Sequence, residues 1–430
     1  MRGRAGNVSR IQDRLKARRP PALTLGRPFP VLLVVAAAIT MTKGTTEIVY
    51  PPYLAGHGYA LSIIGLLTSV FAVMQLLSRV PVGVAYRAER AKRQFAIALV
   101  AFGLSTCGFA FANGQLLPIL ALSLLHGFAF GSVGTLGLAL AIDITGGKRA
   151  GASMAWYTAA ISLGYAVGYG LGGSAAETIG IPSTFGLIGL LPIAAAVAML
   201  MLPAVEGAPL PVDRGRGLRG LFTAGAKLDR RVWLAFVVVL YLNLMSDSVD
   251  TFFPVFGPAI GISLATVGAL RAFKSGAALF IRSTGGLFLR FVDHRTVTLI
   301  AVIATAAGTV VLPISASALV LGPVFIVLGL CRGVLRATSA ATIAELRNEG
   351  RDVGLASGVY NAGLDIGSIV GPSLGGAIAS LTGIGEMFQV IAVISLAAWL
   401  AVALSSPATR AASGLARGPR RVPGPTGAGS

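Results

Sequence analysis

Charge is what this sequence has least of. Asp, Glu, Lys and Arg make up 12% of 430 residues, about half the share found in a soluble domain. That shortage excludes a water-facing surface over most of the chain. Histidine and cysteine number three and two. Cys107 and Cys331 both fall inside apolar runs and read as small apolar residues, so neither a disulfide nor a metal site is expected. No metal-ligand cluster, nucleotide loop or catalytic triad spacing occurs, so neither an enzyme nor a cofactor is expected. "GYGLGG" at 168–173 resembles a glycine loop, but it lies in an apolar run and lacks the following Lys-Ser/Thr. An ATP-driven pump is therefore disfavoured.

What the chain has instead is apolar length. A membrane-spanning helix needs roughly 20 mostly apolar residues. Twelve segments meet that description, at 29–53, 62–84, 95–113, 116–141, 150–173, 183–204, 232–256, 263–288, 296–314, 317–343, 353–377 and 386–405. Charges are confined mostly between them, which disfavours a large soluble helical protein. The expected fold class is an all-α integral membrane protein. A basic tail (1–28) precedes a first half (29–204). A central loop (205–231) leads to a second half (232–405) and a polar, Gly/Pro-rich tail (406–430) expected to be disordered. The first tail has no apolar core of its own, which argues against a cleaved signal peptide.

The loops orient the chain. "GHGYALS", "NGQL", "SAAETIGIPS", "GPAIGIS", "SASA" and "GIGEM" contain no Lys or Arg. The tails, the central loop and the loops bearing Arg87, Arg90, Lys92, Arg93, Lys148 and Arg149 are basic. This positive-inside asymmetry predicts both termini in the cytoplasm of a multi-pass plasma-membrane protein. The net charge of +19 then needs no nucleic acid partner, because anionic lipid headgroups suffice.

The chain also repeats itself at an offset of 203 positions. Tyr157, Gly164, Gly168, Gly172 and Gly173 recur as Tyr360, Gly367, Gly371, Gly375 and Gly376. Glu47 recurs as Asp250, Pro51 as Pro254, Gly65 as Gly268, Arg79 as Arg282, Gly83 as Gly286 and Arg87 as Arg290. Two six-helix halves follow, both oriented the same way and related by an axis along the membrane normal. Gly164, Gly168 and Gly172 share one helix face, as do Gly367, Gly371 and Gly375. Small faces let helices approach closely in lipid, and Pro372 can interrupt the hydrogen-bond ladder. The fifth and eleventh helices are thus expected to pack against the opposite half and to serve as a gating seam.

This arrangement resembles the major facilitator superfamily over 29–405. Gly367-Ser-Ile-Val-Gly371-Pro372-Ser-Leu-Gly375-Gly376 is similar to that family's G-x-x-x-G-P-x-x-G-G run, which many antiporters carry in helix 5. Here helix 5 has Tyr169 at the proline position. Arg79 and Gly83, repeated as Arg282 and Gly286, resemble the remains of the family's loop motif between helices 2 and 3. Arg87 and Arg90 stand where that motif has its aspartate and second glycine. Ser123 stands where proton antiporters carry an arginine four residues before a glycine, here Gly127. The resemblance implies a central pathway lined by helices 1, 4, 7 and 10 and flanked by 2, 5, 8 and 11. It also implies export.

Ionisable side chains inside the spans carry the functional expectation. They are Lys43, Glu47, His126, Asp247, Asp250, Arg271, Lys274, Arg332, Arg336 and Asp365, with Asn243 beside them. Each charge facing lipid would cost about 2.5–3.5 kcal/mol, so these groups must pair or line water. Helical spacing puts Lys43 with Glu47, Asn243 with Asp247 and Asp250, and Arg332 with Arg336 on shared faces. Intramembrane carboxylates mark proton relays. Glu47 and Asp250 are therefore the expected quasi-symmetric proton-coupling pair, with Asp247 and Asp365 second. Lys43, His126, Asn243, Arg271, Lys274, Arg332 and Arg336 are the expected counter-charges or substrate contacts, and Arg332 and Arg336 suit carboxylate or phosphate. Arg79 and Arg282, near the helix ends, are expected at the interface, so by depth the four acids face the fixed cations Lys43, Arg271, Lys274 and Arg332, with titratable His126, in a cavity balanced in charge. The expected function is secondary transport of a small polar or charged solute by a monomer in the bilayer, coupled to protons. A non-transporting receptor or lipid-handling protein on the same fold is the alternative.

Overall fold

The computed structural model describes residues 28–145, 150–201, 230–288, 293–348 and 353–404. Both tails and the central loop expected at 205–231 lie outside the described residues, except for Pro28, Arg230 and Arg231. Among the described residues, twelve α-helices form two sets of six. The first set is α1 (Pro28–Gly56), α2 (Leu61–Ala85), α3 (Ala91–Gly108), α4 (Leu116–Thr145), α5 (Ala150–Ile179) and α6 (Ile181–Leu200). The second is α7 (Arg230–Ala259), α8 (Leu264–Phe288), α9 (His294–Val311), α10 (Ala318–Asn348), α11 (Val353–Thr382) and α12 (Ile384–Leu404). Pro28 and Leu404 lie on one face of the bundle, called here the terminal face; the opposite face is the far face.

Helices are the form this composition dictates, because a backbone in lipid must satisfy its polar groups within the segment. Eleven of the described helices are long and apolar enough to cross a membrane. The remaining one is α5, whose hydropathy is diluted by six glycines over its 30 residues. Its glycines serve packing, and it sits between α1 and α8. Most helices extend past the expected ends, α5 to Ile179 and α11 through Pro372 to Thr382.

The repeat governs packing. α5 lies on α1 and α11 on α7; across the halves, α2 meets α11 and α8 meets α5. Thr45 donates to the Gly168 carbonyl at 3.0 Å, and its equivalent Ser248 donates to the Gly371 carbonyl at 2.8 Å. The turn glycines repeat as well. Gly58 (φ 80°) and Gly261 (φ 85°) are equivalent, as are Gly180 (φ 83°) and Gly383 (φ 99°). All four sit in the left-handed region that other residues enter only with strain. Aromatic clusters towards the far face match too, with Tyr50 and Phe185 in one half answered by Phe253 and Phe388 in the other.

The glycine stripes pack differently from expectation. A Cβ at Gly164 would lie 2.3 Å from the Ala37 carbonyl oxygen, and one at Gly168 would lie 2.3 Å from that of Met41; Gly172 abuts Thr45. Gly367 and Gly371 press on Leu240 and Leu244, and Gly375 faces Ser248 and Phe252. Both stripes therefore bind a helix of their own half. Spacing by four fixes a common face but not the neighbour that face meets. Gly83, at the start of the expected loop motif, is loosely surrounded, and Gly286 lies within α8.

The seam between halves uses other glycines. A Cβ at Gly65 would lie 2.1 Å from the Pro372 carbonyl oxygen, and one at Gly268 would lie 2.3 Å from that of Tyr169. Gly376 meets Leu61 and Gly173 meets Leu264. These four positions form two equivalent pairs, towards the far face. There, the first N–H groups of α2 and α8, which lack helix partners, are satisfied from the other half. Ser62 N–H donates to Ser380 Oγ at 2.8 Å; the equivalent Ala265 N–H donates to Glu177 Oε1 at 3.0 Å. The far face is closed by this seam.

Candidate functional site

Between the halves lies a cavity of about 430 Å³. α1, α2, α4 and α5 line it on one side; α7, α8, α10 and α11 line it on the other. Its wall continues towards the terminal face to Arg79, Arg282 and Asn361.

Arg271 is its organising residue. The side chain is 1% exposed and reaches both halves. Nη2 contacts Glu47 Oε2 at 3.0 Å and Nε contacts Asp250 Oδ1 at 3.4 Å. Nη1 donates to the backbone carbonyls of Glu47, at 3.3 Å, and Asp250, at 3.2 Å. Sequence explains why those carbonyls are free. Pro51 and Pro254 stand four residues later, where a helix would supply the N–H that proline lacks. One guanidinium thus takes an equivalent carboxylate and an equivalent orphan carbonyl from each half. Its Cζ lies 4.1 Å from the centre of the Tyr169 ring, and the Tyr169 hydroxyl donates to Glu47 Oε2 at 2.7 Å. Tyr169 was not among the expected site residues. Its signal was a hydroxyl-bearing ring interrupting a glycine run, at the position equivalent to Pro372.

The other charges build outward from this centre. Lys43 contacts Glu47 at 3.5 Å and lies over the Phe71 and Phe130 rings at 5.0 and 5.4 Å. Lys274 contacts Asp250 at 2.8 Å and donates to Ser246 at 2.9 Å. Arg332 contacts Asp250 at 3.3 Å and Asp247 at 3.9 Å, and also donates to Ser246. Lys43 is equivalent to Ser246, and Phe71 to Lys274, so each half supplies one lysine from the same facing pair of positions. Asn243 donates to the Leu364 carbonyl at 2.9 Å and to Ser368 at 3.1 Å, which turns its Oδ1 to accept from Arg336 at 3.2 Å.

Asp365 pairs with Arg79 at 2.7 Å, tying α11 to α2 across the halves. The equivalent positions are Ser162 and Arg282. Both line the cavity, but the carboxylate is missing, and Arg282 has no acidic partner among the described residues. Ser162→Asp is expected to create a second cross-half pair and to slow interconversion of the halves. Methanethiosulfonate labelling of a cysteine placed at Thr68 in the cavity wall would measure that rate in liposomes, and an unchanged rate would refute the expectation.

Two expectations are corrected. His126 does not line the cavity. It is fully buried in the first half among Phe71, Phe102 and Phe109, with Ser105 and Thr106 near Nδ1. It sits on α4 as expected, but its side chain turns into the bundle interior. The cavity is also not balanced in charge. Arg79, Arg282 and Arg336 join Lys43, Arg271, Lys274 and Arg332, so seven cations face the four carboxylates Glu47, Asp247, Asp250 and Asp365.

The comparisons agree with this architecture. The family model described as Major Facilitator Superfamily matches residues 32–330 and 276–426. An uncharacterised MFS-type transporter of Methanocaldococcus jannaschii is 22% identical over 339 residues, covering 77% of this chain and 86% of that protein. The crystal structure of nucleoside transporter NupG superposes with a TM-score of 0.70 at 13% identity, covering 88% of this chain and 99% of that one. An inward-facing, unoccupied bacterial homologue of the human lysosomal transporter Spinster gives a TM-score of 0.69 at 13% identity, covering 88% and 96%. The chain belongs to the Major Facilitator Superfamily.

Proposed function

We propose that the chain is a secondary transporter that carries a small polar or charged organic solute across the plasma membrane by alternating access, coupled to protons. The observation that carries this reading is one cavity, closed at the far face by a symmetric seam and lined with ionised groups from both halves. Ion pairs that only held the halves together could be replaced by apolar packing at little cost. Family membership and the transporters sharing the fold favour transport over reception. The basic loops favour a cytoplasmic terminal face, and in this reading the conformation faces inward. The glycine–proline run of α11 favours export. The protein acts as a monomer in this reading.

Glu47 is the first proton-responsive group. Its side chain is 30% exposed, whereas three cations converge on Asp250. Neutralising Glu47 removes a carboxylate contact of Arg271 while leaving those to Asp250, which loosens one half from the guanidinium. Asp250, Asp247 and Asp365 are second. A reconstituted full-length chain challenged with a metabolite panel, with and without a pH gradient, tests the assignment. Glu47→Gln is expected to abolish gradient-driven transport while the protein still folds. Undiminished gradient-driven transport would remove Glu47 from the mechanism.

A further inference from the structure

The carboxylates account for five of the seven cavity cations. Glu47 holds Lys43 and Arg271; Asp250 holds Arg271, Lys274 and Arg332; Asp365 holds Arg79. Arg282 and Arg336 are left without an acidic partner among the described residues. Both come from the second half, on α8 and α10, and both lie towards the terminal face from the ion-pair cluster. At 1.5 Å per residue, Arg282 is about 12 Å beyond Lys274 and Arg336 about 6 Å beyond Arg332. α8 and α10 touch here, with Gly333 against Ile281. The guanidinium groups of Arg282, Arg332 and Arg336 feel one another's positive charge. Nε of Arg336 is buried without a hydrogen-bond partner. Asn243, held by two donations from its own amide, fixes Arg336 in place.

Clustered cations with no counter-ion are unfavourable inside a membrane protein, and a guanidinium pair is the arrangement that recognises carboxylate or phosphate oxygens. The facing wall is mixed, with Lys43, Glu47, Gln75 and Arg79 beside an apolar patch. The first-half equivalents of Arg332 and Arg336 are Ala129 and Val133, and that side offers Phe71, Phe130 and Ile161 to the cavity. A solute fitting both walls has an anionic group at one end and an apolar body at the other. The 430 Å³ volume suits a small organic molecule.

We propose that Arg282 and Arg336 form an oxyanion subsite, and that the transported solute is a small organic carboxylate or phosphate monoester. This rests on the transport reading above and names the substrate class. In it, the solute's anionic group sits between the two guanidinium groups, and its apolar body lies against Phe130 and Ile161.

The test is thermal stability of the purified full chain in neutral-lipid nanodiscs. Probes are inorganic phosphate, succinate, benzoate and phenyl phosphate at constant ionic strength, with benzamide as the uncharged match. The organic anions are expected to raise Tm in a saturable way, and benzamide is not. Losing one charged hydrogen-bonding partner should weaken binding about tenfold in Arg282→Gln and in Arg336→Gln. Arg336→Lys should recover part of the loss, and Arg87→Gln, in the exposed loop after α2, should leave binding unchanged. Each Gln variant removes a cation with no acidic partner among the described residues, so each is expected to fold at least as well as the parent, which Tm without probe checks. The subsite is overturned if no organic anion acts, or if all four variants bind equally. It is also overturned if phosphatidylglycerol in the nanodisc abolishes the probe effect by competition, which would make the site a headgroup site. None of these outcomes depends on movement of solute, so failure here leaves the transport reading to its own assay.

Discussion

Arg271→Met is expected to stop transport and to destabilise the protein by about 3–5 kcal/mol, the cost of removing one partner from a buried ionic cluster. Its side chain is 1% exposed and meets two carboxylates and two backbone carbonyls. Among the described residues, no other side chain contacts all four. Arg271→Lys keeps the charge but loses the planar fork, so it should regain part of the stability and none of the transport. The prolines supply a sharper check. In the parent, Pro254 leaves the Asp250 carbonyl to Arg271; in Arg271→Met that carbonyl is orphaned. Pro254→Ala returns an N–H four residues on, and in the Arg271→Met background it should recover about 1 kcal/mol. Denaturant melts of the four proteins measure the cycle. Strict additivity between the two positions would show that Arg271 does not serve that carbonyl.

Gly65→Val and Gly268→Val are expected to force the far-face seam apart. At each position the new Cβ would meet a backbone carbonyl, of Pro372 at 2.1 Å and Tyr169 at 2.3 Å, and backbone cannot rotate away. Overpacking of this kind costs about 1–3 kcal/mol. That cost falls only on the conformation in which the seam is closed, so it shifts the equilibrium between conformations about 5–150-fold towards a far-face-open state. Transport should fall while the folded protein persists. Gly170→Ala on α5 is the control, because a Cβ there meets nothing within 4 Å. Accessibility of a cysteine at Thr68, probed from each side of the membrane, separates the cases. Equal accessibility in the parent and both valine variants would show that the seam does not control access.

The fold was legible because membranes make few demands and make them everywhere. Apolar length located the helices. A single offset related Glu47 to Asp250 and Pro51 to Pro254, and the same offset relates the left-handed glycines and the cross-half caps. The elements the sequence hid are those decided by direction. Period four puts Gly164, Gly168 and Gly172 on one face, but it does not say whether α1 or the opposite half covers that face. His126 occupies the right depth and turns inward to an aromatic cage instead of the cavity. Arg79 and Arg282 lie near helix ends, where a loop role is the ordinary reading, yet long side chains carry their charges back into the cavity. The resulting cationic excess was invisible to a count based on depth alone. The Arg271 centre was half legible. Its charge stood out in the sequence, whereas its two carbonyl acceptors follow only when the prolines are set beside the geometry.

The central claim is that the two halves part at the far face during function. Spin labels at Ala60 and Thr382, both exposed on opposite sides of the seam, measure it directly in lipid nanodiscs. A short distance is expected in the parent at mildly alkaline pH. A second, longer distance should gain population on acidification, and it should dominate in Glu47→Gln. One short distance, unchanged by pH, by organic anions and by Glu47→Gln, would contradict it.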